Sequence, residues 1–292
     1  QGTLMPALDQ VILFALNHYS NIQAVPFGAF GTLQTALAVT AFPLAAGLLA
    51  LAFWRQGASL LRKRHFGTAC YFGLAGFLGC FPRPDAVHIA FCAVLILPLL
   101  ARLLDTVLPT KLSPLLIGMA SLICLTPFFV LLSSAIRVAN VDPIETPAGP
   151  VKIMRNDGTA ELLDRLETLP AGERVFFYPY DPVLPFLSGR RHPVNLDLFV
   201  PQYTTASQYH DSCLQVMQNA EWVVFDSEIS QPGFYRVIFP AMSNPSPPEK
   251  TSFEAALKKS FAIEYQYGGF QVLRRRTASA DASRWCAQVK VD

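Results

Sequence analysis

Residues 86–104 read AVHIAFCAVLILPLLARLL, nineteen positions whose one formal charge is Arg102. A run of this length and apolarity is long enough to cross a bilayer as a helix. Three neighbours have the same character: Leu33–Trp54, Phe66–Phe81 and Leu112–Ile136. The second is short for a hydrocarbon core of about 30 Å, and fits by thinning the bilayer or by borrowing Leu60 and Leu61 while Arg62 and Lys63 snorkel. Pro43, Pro98 and Pro127 interrupt these runs, which a bundle tolerates where neighbouring helices re-satisfy the freed carbonyls. The expectation is a membrane bundle of about four spans over residues 33–138.

The charge distribution divides the chain. Before residue 140 there are 8 Lys and Arg and 3 Asp and Glu; after it there are 15 and 18. Only 15% of the chain is charged, against roughly a quarter in soluble domains, so part of it must be nearly charge-free. Neither half carries the basic signature of a nucleic-acid binder. The chain opens on Gln1, without a visible signal peptide, and reads as processed or as a fragment.

Loop charges predict orientation. Arg55, Arg62, Lys63 and Arg64 crowd the first connection and Arg102 and Lys111 flank the third, while the middle one, residues 81–85, is nearly neutral. The positive-inside rule places the first and third in the cytoplasm. The middle turn, residues 1–32 and everything after Asn140 are then extracytoplasmic. Within 1–32, the apolar piece Val11–Leu16 is too short to span and suits an interfacial or re-entrant segment.

A Pro-rich linker covers 139–158, and 159–276 reads as a small α/β domain with a mostly parallel sheet. Helices are expected at Ala160–Leu169, Ala206–Asn219 and Phe253–Phe261, and strands at Arg174–Tyr178 and Trp222–Phe225. A hairpin, Ile263–Tyr267 with Phe270–Leu273, turns at Gly268-Gly269. Residues 277–292 read as a loosely held tail. Cys70, Cys80, Cys92 and Cys124 lie in the spans as small apolar residues. Cys213 and Cys286 share an oxidising compartment, so two readings stay open, a disulfide or two separate thiols. No metal spacing and no cofactor motif is present.

Two constellations could carry chemistry. In the outward turn, Asp85 and His88 share a helix face beside Arg83, which suits a phosphate-bearing head group. The structural alternative is that Asp85 caps the helix and pairs with Arg83. The second follows the first strand of the α/β domain, where ligands of open sheets bind. There Tyr180, Asp181, Arg190 and Arg191 would suit a sugar phosphate. The structural alternative is a Pro-ruled loop with Asp181 capping a short helix and the arginines in a solvated turn. Asp197, Asp211, Asp226 and Glu228 read as surface acids.

Several spans, an outward turn reading Arg83-Pro84-Asp85-x-x-His88, and FYPYDPVLPFLSGRRHPVN at 177–195 together resemble the C-terminal part of bacterial GT-C membrane glycosyltransferases, of the polyprenyl- or dolichyl-phosphate-mannose protein mannosyltransferase-like group. The resemblance covers about Leu33 to Arg275. It implies an inner-membrane protein, a polyprenyl-phosphate-sugar donor, an extracytoplasmic acceptor and membrane lipid as surroundings. In that family the catalytic acid lies in a loop after the first helix. Four spans are too few here, and Asp9, the one acid in 1–32, follows no span and is given no role. The resemblance therefore implies a C-terminal portion, inactive without the N-terminal half of the same enzyme. The other class is a membrane-tethered binding or assembly protein of the cell envelope without catalysis.

Overall fold

A computed structural model describes residues 20–81, 83–108, 113–153, 158–276 and 282–289. Asp9, the segment Val11–Leu16, Pro82, Lys111, and residues 277–281 and 290–292 of the tail lie outside the described residues. By internal contacts the chain divides into a helical unit, Gln23–Ile136, and an α/β unit formed chiefly by Arg137–Asp292.

The helical unit follows α1 (Ser20–Gln23) with α2 (Leu33–Val39), α3 (Ala41–Gln56) and a 3₁₀ turn over Gly57–Arg62. Next come α4 (Phe66–Gly79), α5 (Ala86–Val107) and α6 (Ser113–Ala139). The expected first span is thus two helices divided at Thr40. The reason is Pro43: it sits in the first turn of α3, where its missing N–H leaves no gap in the hydrogen-bond ladder. Two stretches, Ala41–Arg62 and Ala86–Val107, are each 22 residues long and apolar enough to cross a bilayer; Phe66–Gly79 is shorter.

The interior of this unit interleaves small residues with large ones such as Leu60, Phe66, Ile89, Leu100 and Leu103. Ala38, Ala41, Ala45, Ala69, Ala90 and Ala93 are buried. A Cβ on Gly73 would lie 2.7 Å from Leu99 Cδ2, and one on Gly76 would lie 2.9 Å from Leu95 Cβ. Both glycines therefore let α4 and α5 approach backbone to side chain, the packing used where lipid surrounds a bundle. Other large apolar side chains point outward: Trp54 is 86% exposed and Tyr71 71%.

The α/β unit contains α7 (Thr159–Glu167), β1 (Val175–Tyr178), α8 (Val183–Ser188), α9 (Ala206–Asn219), β2 (Trp222–Asp226), α10 (Pro232–Ile238), α11 (Pro248–Ser260), β3 (Phe261–Tyr267), β4 (Phe270–Arg275) and α12 (Ala282–Cys286). The sheet runs β1-β2-β4-β3. β1 pairs parallel with β2, but β4 is antiparallel to both β2 and β3. The sheet is mixed, not mostly parallel. A two-residue turn returns β3 directly into β4, so the hairpin cannot be parallel.

Alternation along the strands sends side chains to two cores. Phe176 and Tyr178 join Val223, Phe225, Tyr209 and Phe253 under α9 and α11. Val175 and Phe177 join Trp222, Val224, Leu163 and Leu166 under α7. Cys213 on α9 and Cys286 on α12 form a disulfide, with Cα atoms 5.6 Å apart. Cys286 and Val289 are buried in the first core, so this part of the expected loose tail is packed.

Candidate functional site

The loops after β1 and β2 leave the same end of a parallel pair, where side chains from both can converge. β1 ends at Tyr178, and the chain crosses a cis Tyr178–Pro179 bond to Tyr180 and Asp181. The Asp181 carbonyl accepts the Leu184 N–H as α8 begins. Its carboxylate does not cap that helix. Pro182 holds the cap position with no side-chain bond, and Asp181 Oδ2 is buried without a hydrogen-bond partner.

β2 ends at Asp226, which is 5% exposed. Its Oδ1 accepts the N–H groups of Glu228 at 2.8 Å and Ile229 at 2.9 Å. The β3–β4 turn closes the third side. Ser227 donates its N–H and its hydroxyl to the Gly269 carbonyl, at 2.9 and 2.7 Å. A Cβ on Gly269 would lie 2.9 Å from Cγ of the exposed Glu228 side chain, which would have to shift to admit it. The result is a cleft of about 450 Å³, lined by Tyr180, Asp181, Asp226 and Glu228 with Leu184, Leu187 and Phe270 as apolar floor.

Burial, then the neighbouring Asp226 carboxylate, pushes the Asp181 pKa up to about 7. At neutral pH this group is therefore poised between donor and acceptor. The cleft offers carboxyl oxygens and a phenol over an apolar floor, the lining that suits a neutral, hydroxyl-bearing ligand. A phosphate would be repelled by the three acids.

The paired arginines take no part in this lining. Arg190 donates to the carbonyls of Glu167, Leu169 and Pro170 at 3.1, 2.8 and 2.8 Å, closing the C-terminal end of α7. Arg191 is exposed. Of the four residues expected to hold a sugar phosphate, Tyr180 and Asp181 share the cleft and the arginines do not line it. Asp226 and Glu228, which read as surface acids, line it instead. The signal for Asp226 was its place at the end of an apolar strand, WVVFD at 222–226.

The middle turn is a closed cluster. Arg83 donates from Nε to Asp85 Oδ2 at 2.6 Å and from Nη1 to Gln23 Oε1 at 2.8 Å. Asp85 Oδ1 accepts from the Val87 and His88 N–H groups, both at 3.0 Å, and lies 2.9 Å from His88 Nδ1. Burial pushes the Asp85 carboxyl up, but hydrogen bonds from His88 and Arg83 outweigh it and hold the pKa below its ordinary value. Asp85 is thus the N-cap of α5 and the partner of Arg83.

A buried charge pair was not foreseen from the sequence. Lys250, 2% exposed, lies 2.6 Å from Glu254 and donates to the Ser230 carbonyl at 2.9 Å. Glu254 also accepts from the Tyr178 hydroxyl at 2.9 Å. Among the described residues no group of three or more His, Cys, Asp and Glu is placed to hold a metal ion. Comparison with protein-family models, curated proteins and solved structures finds no match to this chain.

Proposed function

We propose that the chain is the membrane-embedded C-terminal portion of a GT-C type glycosyltransferase, whose α/β domain holds a hydroxyl-rich acceptor outside the cytoplasm. The observation that carries this reading is the acid-lined cleft at Asp181, with its buried carboxylate oxygen facing no partner. Carboxyl oxygens and Tyr180 can exchange hydrogen bonds with a sugar or with a serine or threonine hydroxyl. The donor is a sugar on a polyprenyl phosphate, supplied to a catalytic acid in the N-terminal half of the enzyme.

The outward display of large apolar side chains on the helical unit supports placing it in a bilayer. A disulfide between Cys213 and Cys286 suits an oxidising compartment for the α/β unit. We place the protein in a bacterial inner membrane, with about four spans and the α/β domain outside. Reporter fusions at Gln56 and Gly158 should then lie on opposite sides; the same side for both would sink the four-span reading.

Oligosaccharide binding to the detergent-solubilised chain tests the cleft. Asp181→Asn and Tyr180→Ala should each weaken binding by about 1–2 kcal/mol while the circular-dichroism spectrum is unchanged. Binding that neither substitution affects would remove the site.

One observation favours a second reading. Asp85, the acid in the outward turn, is fully occupied as cap and ion-pair partner and is held ionised. It is poorly placed to take a proton in transfer. This suits a membrane-tethered envelope binding protein in which the same cleft binds without catalysis. Sugar transfer from a polyprenyl-phosphate donor, measured with the enzyme's N-terminal half present, separates the two.

A further inference from the structure

We propose that the helical unit carries a site for one anionic phospholipid, at the end of α4 and α5 remote from Asp85. The inference rests on the membrane reading above. A cleft of about 410 Å³ opens between α4, α5 and α6. Its polar end, the mouth, is lined by His65, Thr68, Arg102 and Asp105, and its apolar end by Phe72 and Pro98. On α4 the lining steps from His65 to Phe72, and on α5 from Asp105 back to Pro98. Seven residues of helix rise about 10 Å, so the cleft grades from polar to apolar along the helix axes. That gradient matches a head group at the mouth and an acyl chain along the wall.

Arg102 lines the cleft, and the structure gathers further bases at the same end of the unit. Arg55 Nη1 donates to the Val107 carbonyl at 3.0 Å, and Arg102 Nη2 to the Arg64 carbonyl at 3.4 Å. These bonds fold the loop bearing Arg62, Lys63 and Arg64 against the last turns of α5. In the sequence of this unit the acids are Asp85, at the first turn of α5, and Asp105. Among the described residues, five bases therefore stand with one acid at this end. His65 and Thr68 stand at the N-terminus of α4. Basic pockets between membrane helices take anionic head groups for these reasons. A free phosphate would leave the apolar wall at Phe72 and Pro98 uncovered.

Native mass spectrometry of the detergent-purified full chain, titrated with phosphatidylglycerol, phosphatidylcholine or inorganic phosphate, tests the site. One phosphatidylglycerol should be retained over phosphatidylcholine, and Arg102→Ala should weaken that retention about fivefold. Arg236→Ala, on the α/β unit, should leave it unchanged. Equal retention of the two lipids by the unaltered chain, which needs no variant to fold, would overturn the proposal. So would stabilisation by inorganic phosphate alone. Carbonate extraction of membranes distinguishes the two levels. A chain that stays in the pellet yet shows no lipid preference loses this site and keeps the membrane reading; a chain released by carbonate loses both.

Discussion

Asp85 and Asp181 are the same residue type in equivalent sequence settings, each beside a proline and each with arginine nearby. The structure puts them in opposite states. Asp85 receives two backbone N–H groups, a guanidinium and an imidazole, and its pKa falls. Asp181 keeps one buried oxygen without a partner beside a second carboxylate, and its pKa rises to about 7. Burial raises both, so the difference lies in the donors around Asp85 and in the Asp226 carboxylate beside Asp181. A carboxylate supplied with donors holds the fold together, and one deprived of them is left for a ligand. The contrast supports the proposed reading, with Asp85 holding the fold and Asp181 open to a ligand.

The strongest way to break this contrast is Asp85→Ala. It removes the carboxylate partner of the Arg83 guanidinium, whose side chain is 14% exposed, and the cap of α5. Loss of one partner from a buried pair costs about 3–5 kcal/mol, readable as a lowered melting temperature in detergent. A change below about 1 kcal/mol would show that the cluster is not structural.

The two acids also predict opposite pH limbs. Asp181 binds its proton more tightly when folded. Its contribution is present below the ordinary carboxylate range and is lost as pH rises from about 4 through about 7, on the order of 2–4 kcal/mol. Asp85, with its pKa lowered, stabilises above the ordinary range and loses that as pH falls through its depressed value. Denaturant titrations at pH 5 and pH 8 should show the Asp181 limb, and Asp181→Asn should flatten it. An unchanged slope in that variant would mean that another group titrates.

Arg190→Ala should cost about 1–2 kcal/mol by baring three carbonyls at the end of α7, and leave oligosaccharide affinity untouched. Weakened affinity at full stability would return Arg190 to the site. The smallest effect belongs to His88→Ala. Its ring is half exposed, so its pairing with Asp85 should matter by about 0.5 kcal/mol or less in thermal unfolding.

Local features were legible from the chain alone. The apolar run at 86–104 became α5, extended to Val107, and Gly268-Gly269 turned the hairpin as expected. Asp85 as a cap followed from its position before a helix. What escaped needs partners distant in sequence. Asp226 is buried because the turn at Gly269 folds over the loop after β2, which no local pattern announces. Arg190 reads as a neighbour of Asp181 until α8 carries it toward α7. The mixed sheet escaped because alternating helices and strands do not say on which side of β2 the hairpin will add.

The loop from Asp226 to Ser230 is held on every side. Asp226 accepts the N–H groups of Glu228 and Ile229, Ser227 is tied to the hairpin turn, and the Lys250 ammonium donates to the Ser230 carbonyl. A wall already ordered in this way loses little conformational entropy when a ligand arrives. Association should therefore follow a single fast step with no slow closing phase, and calorimetry should report a small entropic penalty beside the heat of the new hydrogen bonds.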